Sequence, residues 1–72
     1  MWVKEQDGRG FVEVRQVYLS STNVIGRVDQ ESFKDWIVVL GVYDDEVRAL
    51  AVVEDMFEHL ASGESVYKMP EA

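Results

Sequence analysis

At Asp44 the apolar side chains stop recurring at every second residue and begin recurring at every third or fourth, and this switch limits what the 72 residues can form. Strands and turns precede it, and one helix follows. Counting 100° per residue, Val47, Ala49, Leu50, Val53, Phe57, Leu60 and Ala61 share a face, with Arg48, Asp55, Glu58 and His59 opposite. Val52 and Met56 widen the apolar arc to roughly half the circumference, more than the ~100° stripe usual for a helix facing a core. Asp44, Asp45 and Glu46 mark the start, since one aspartate can accept from a free backbone N–H while the others complement the positive helix end. Gly63 marks the stop, placed to take the left-handed conformation after the last turn. The expected helix covers residues 44–62.

Ahead of the switch, Asp7-Gly8 supplies the positive backbone angles of a tight hairpin turn after a short apolar start. From Phe11 to Leu19 the alternation puts Val12, Val14 and Tyr18 on one side, then breaks, because Val17 and Leu19 fall with Phe11. A bulge near Arg15 or Gln16, or burial of both faces, accounts for the break. "SSTN" is a turn cluster, "VIGRVD" a short strand, and "DQES" a second polar turn. "FKDWIVVLGVY" begins alternating and becomes continuously apolar from Trp36. After the helix, "SVYKMP" offers one more short strand at a sheet edge, since proline cannot donate a ladder hydrogen bond. Composition leaves open whether Lys68, Met69 and the last residues are strand or tail. The expected fold class is α+β, an antiparallel meander sheet of four or five strands with one helix packed on it. It forms a single domain over residues 1–72, because a chain of this size buries only about 60% of its unfolded surface and cannot divide it between two cores.

The charge is uneven. Residues 1–36 carry five basic and six acidic side chains, net -1, and residues 37–72 carry two basic and eight acidic, net -6, which together make the net -7 of the whole. Such a surface repels a phosphate backbone, so direct nucleic-acid binding is disfavoured. Without cysteine there is no disulfide framework and no thiolate metal site. "MWVKEQDG" has no basic segment leading into an apolar stretch, and the longest apolar run, "WIVVLGVY", is far shorter than the roughly 20 residues that span a bilayer. The expectation is cytoplasmic residence with no membrane span.

Several arrangements imitate chemical sites without meeting their requirements. The strand–glycine–helix outline of "VVLGVYDDEVRAL" is that of a phosphate-binding loop, but Gly41 stands alone where such loops need two or three glycines, and three acidic residues occupy the helix start that would attract phosphate. "DDEVRALAVVED" has the length of a calcium loop and lacks its alternating ligands and sixth-position glycine. Glu54 and Glu58 have no histidine beside them on their face. A catalytic role for His59 would need an orienting partner and a nucleophile, and Ser62, its nearest hydroxyl, lies in the cap region. No catalytic, cofactor or metal residue is therefore assigned.

The more informative feature is a surplus of apolar surface. One helix covers one face of a sheet, yet Ile37 and Val39 point one way from their strand while Trp36, Val38 and Leu40 point the other. A small chain without disulfides or metal commonly covers such a surplus by self-association, usually as a two-fold dimer. Trp36, Val38, Leu40, Val52 and Met56 are the expected interaction residues.

"MWV", "VVLGVYDDEVRALAVVEDMF" and "VYKMPE" together resemble a group of small uncharacterised proteins of Gram-positive bacteria and their phages. In that group a strand ending in Leu-Gly-x-Tyr runs into a helix patterned Ala-x-x-Val-x-x-x-Phe. Leu40, Gly41 and Tyr43 match the junction, and Ala49, Val53 and Phe57 match the helix. The resemblance spans about two thirds of the chain, and implies a small meander sheet with a packed helix and no assigned activity.

The functional expectation is a non-enzymatic interaction module, a homodimer docking a further protein through its apolar set or acidic helix face, with no cofactor and no small-molecule substrate. The alternatives are an acidic decoy that mimics DNA and occupies a nucleic-acid-binding protein, and an enzyme whose site forms only at a dimer interface.

Overall fold

The computed structural model describes residues 1–28 and 36–72, Trp36 by its backbone alone. The order is β1 (Trp2–Lys4), β2 (Phe11–Glu13), β3 (Gln16–Ser20), β4 (Asn23–Val28), β5 (Trp36–Val42), α1 (Glu46–Ala61) and β6 (Val66–Lys68). The fold is α+β. The expected second polar turn at "DQES" and the strand residues Phe33, Lys34 and Asp35 lie outside the described residues.

Two three-stranded sheets, ordered β2-β1-β6 and β3-β4-β5, replace the expected meander of four or five strands. The division occurs where the alternation breaks. Arg15 N–H donates to the Arg27 carbonyl at 2.8 Å while Gln16 stands opposite Arg27, two residues against one, and this bulge turns the chain from the first sheet into the second. The β1–β2 hairpin turns where expected, with Gly8 at φ 74 and the Asp7 carboxylate accepting from Arg9 N–H at 2.9 Å. β6 is an edge strand, as expected of a segment ahead of a proline, but it runs parallel to β1, pairing Val3 with Tyr67, so the sheets are not wholly antiparallel.

The core lies between the sheets and the helix. Val3, Val14, Val24, Leu40, Tyr43, Ala49, Val52, Met56, Tyr67 and Met69 form one buried cluster, with Val17, Leu19, Val28, Val38 and Val53 packed against it. Leu40 enters the cluster through a register shift in which β4 passes from Gly41 to Val39 within one residue. Gly41 is needed for a reason unrelated to phosphate: a methyl there would meet the Tyr43 hydroxyl at 2.8 Å, so the missing side chain houses the ring two residues on.

The helix ends follow the sequence closely. Asp45 is the N-cap, its carboxylate accepting from Arg48 N–H at 2.7 Å, and Gly63 takes φ 88 beyond the Ser62 C-cap. The buried face does not follow it. Ala49, Val52 and Met56 are buried, while Val47, Leu50, Phe57 and Leu60, expected on the core face, are exposed. The helix is rotated because the segment after it packs against the polar side. Tyr67 donates to Asp55 at 2.6 Å, His59 donates from Nε2 to the Val66 carbonyl at 2.7 Å, and the His59 and Tyr67 rings meet edge to face.

Leu40 is 1% exposed and belongs to the core cluster that also holds residues of both sheets and the helix, so Leu40→Ala removes a fully enclosed side chain. The expected loss is about 2–5 kcal/mol, measured as a lower urea midpoint with an unchanged slope.

Candidate interaction surface

Of the five expected interaction residues, Leu40, Val52 and Met56 are buried in the core and cannot meet a partner in the folded chain. Val38 is half-buried and packs against the same cluster. The Trp36 side chain lies outside the described residues. The correction has one physical cause: Val38, Leu40, Val52 and Met56 face inward, and the apolar surplus emerges elsewhere on the same elements.

On α1 the uncovered set is a stripe. Leu50 is 47% exposed, Phe57 70% and Leu60 53%, recurring at helical spacing along the flank next to the buried face, while Val47, 79% exposed, lies in the first turn on the side away from that face. Between this flank and β3 runs an apolar groove of about 290 Å³, lined among others by Met1, Val14, Val17, Val53, Phe57 and Leu60. On the second sheet, side-chain alternation puts Tyr18, Ile25, Ile37 and Val39 on the face away from the helix. Ile25 is buried there between its cross-strand neighbours, whereas Ile37 and Val39 are exposed.

A residue with no periodic signal closes the far edge of β5. The Gln6 side chain accepts from Val42 N–H at 2.9 Å and donates to the Val42 carbonyl at 3.0 Å, while its backbone N–H donates to the Leu40 carbonyl at 2.9 Å. Gln6 thus stands in for a short length of strand, and a second donation to the Pro70 carbonyl at 3.3 Å ties it to the tail. β3, the other edge of that sheet, has no such cover among the described residues.

The titratable groups here serve the fold. Burial pushes the Tyr67 phenol well above its ordinary value, and its hydrogen bond to the Asp55 carboxylate and that group's negative charge raise it further. Burial also raises Tyr43, whose hydroxyl donates to the Pro70 carbonyl at 2.8 Å, and the neighbouring Arg48 cation opposes the rise. Among the described residues no three His, Asp or Glu side chains gather to hold a metal ion. Among the same residues no helix is long and apolar enough to cross a membrane.

Gln6→Ala opens the β5 edge. The expected cost is about 1 kcal/mol, with faster hydrogen exchange at the Val42 amide. Tyr67 and Tyr43 ionise in the unfolded chain near pH 10 and resist ionisation in the folded one, so the stability they contribute is fully present below about pH 10 and is lost above it. Urea midpoints from pH 8 to 11 should fall more steeply in the unaltered chain than in Tyr67→Phe.

Comparison of the chain with protein-family models, with curated proteins and with solved structures finds no match.

Proposed function

We propose that the chain is a non-enzymatic protein–protein interaction module that self-associates as a homodimer and docks a further protein through its remaining apolar surface. The observation that carries this reading is the stripe of Leu50, Phe57 and Leu60, left in water on a helix whose opposite side is occupied by β6. An apolar side chain held in water forgoes roughly 1.5–3 kcal/mol of transfer free energy relative to full burial. Three of them along one flank give a second surface a substantial gain on covering them, and two of the three, Phe57 and Leu60, also line the groove beside β3.

The acidic charge bears on how the surface works. Each copy carries net -7, so two copies repel at long range, and salt that screens this repulsion should tighten the pair. An acidic decoy would behave in the opposite way, because its attraction to a basic partner weakens steeply with ionic strength.

Mass measured by light scattering across protein concentration tests the reading directly. The unaltered chain should rise toward twice its 8.3 kDa monomer mass, and more readily in higher salt. Phe57→Asp should hold it at the monomer mass. The same variant should keep its helical signal and, compared at a concentration where both chains are monomeric, its stability within about 0.5 kcal/mol, since Phe57 is mostly exposed in the single copy. A monomer mass for the unaltered chain at every concentration refutes self-association.

A further inference from the structure

The open edge of β3 and the apolar flank of α1 belong to one surface, and together they specify how two copies meet. The inference rests on the self-association proposed above and adds its geometry. From the Ser20↔Asn23 pair that closes the two-residue turn, the antiparallel ladder alternates back through Tyr18↔Ile25 to Gln16↔Arg27. Those pairs direct the backbone groups of Gln16, Tyr18 and Ser20 toward β4. The N–H and C=O groups of Val17 and Leu19 therefore point the other way, where no strand pairs among the described residues. The strand, "QVYLS", contains no charged residue and no proline, the features that commonly keep a sheet edge from accepting another strand.

We propose that a second copy of this chain adds its own β3 to this edge, antiparallel, across a two-fold axis at Tyr18. In that register Val17 lies opposite Leu19 of the partner subunit and Leu19 opposite Val17 of the partner subunit. Each copy thereby gives two donors and two acceptors to a four-bond ladder. The segment is its own complement, because the same outward groups recur on either side of Tyr18 with the same spacing. The two sheets join into one of six strands, and each groove beside β3 comes to lie at the axis with Phe57 and Leu60 on its wall.

The available area fits this occupant. Taking roughly 150–200 Å² for a fully exposed side chain of this size, Leu50, Phe57 and Leu60 leave on the order of 300 Å² of apolar surface per copy. A standard interface takes about 800 Å² per partner, of which about 65% is apolar in homodimers, or roughly 500 Å². The helix flank supplies more than half of that, and the groove lining at Val17 and Val53 adds to it. The strand edge provides the polar remainder.

The chain has no cysteine, so a single introduced thiol reports on the axis without background. In the proposed register Tyr18 faces its own copy in the closely spaced type of pair, with Cα atoms about 4.5 Å apart, within the ~4.4–6.8 Å that a disulfide spans. Tyr18→Cys should form a covalent dimer under mild oxidation, in a yield that follows the dimer fraction seen by sedimentation. Val39→Cys, on the same sheet face but two strands away, should not. Val17→Pro removes one outward N–H without touching the ladder to β4, and should weaken the dimer at least tenfold while the helical signal persists. A dimer by sedimentation that Tyr18→Cys fails to capture and Val17→Pro fails to weaken overturns the strand pairing and leaves self-association standing. A monomer throughout overturns both. A monomer whose Val17 and Leu19 amides become protected only when a different protein is added overturns the second copy as occupant, in favour of a foreign strand.

Discussion

The rotation of α1 about its own axis is the constraint on which the rest of the structure depends, and the Tyr67–Asp55 hydrogen bond is its clearest mark. A helix with apolar residues around half its circumference can bury either part of that arc. The returning segment selects one part, because Tyr67 and Met69 enter the core beside Val52 and Met56 while Val66 meets His59. Once that side is occupied, the flank carrying Phe57 has no cover from β6. The apolar stripe is therefore a consequence of how the polar side is used.

A second constraint operates at the junction of β5 and α1. The Tyr43 ring fills the space above Gly41, its hydroxyl reaches the Pro70 carbonyl, its N–H donates to the Thr22 carbonyl at 3.0 Å, and the Arg48 guanidinium lies 5.6 Å from its ring centre. One residue thus joins the first helical turn, the β3–β4 turn and the tail. The glycine that gives this segment the outline of a phosphate loop is explained by packing, and the acidic residues after it by the start of the helix.

What was legible in the sequence was local. The turn at Asp7-Gly8, the bulge at Arg15, the cap at Asp45 and the stop at Gly63 each depend on residues within a few positions of one another, and each stands where the pattern puts it. What was not legible depended on distant partners. Helical periodicity locates an apolar arc but does not say which part faces inward when the arc is wide, so Val52 and Met56 read as surface and Phe57 as core. The pairing direction of β6 was hidden for the same reason, since Val3 and Tyr67 carry no mark of each other. Gln6 was invisible because a lone amide capping a strand edge has no repeating pattern to betray it. Apolar side chains do remain exposed, but they are Leu50, Phe57, Leu60, Ile37 and Val39 rather than Leu40, Val52 and Met56.

The parallel pairing of β1 with β6 also has a consequence for how the molecule is made. Trp2 sits opposite Val66, so β1 waits until β6 has been made before its second neighbour exists. During synthesis at about 5–20 residues per second, that wait lasts several seconds, with one side of β1 open throughout. The long loop this contact closes adds to the entropic cost of the transition state and slows folding relative to a design with neighbouring strands only. A nascent hairpin of β1 and β2 is thus the form in which the chain is most exposed to unwanted strand pairing, and release of the last strand ends that hazard.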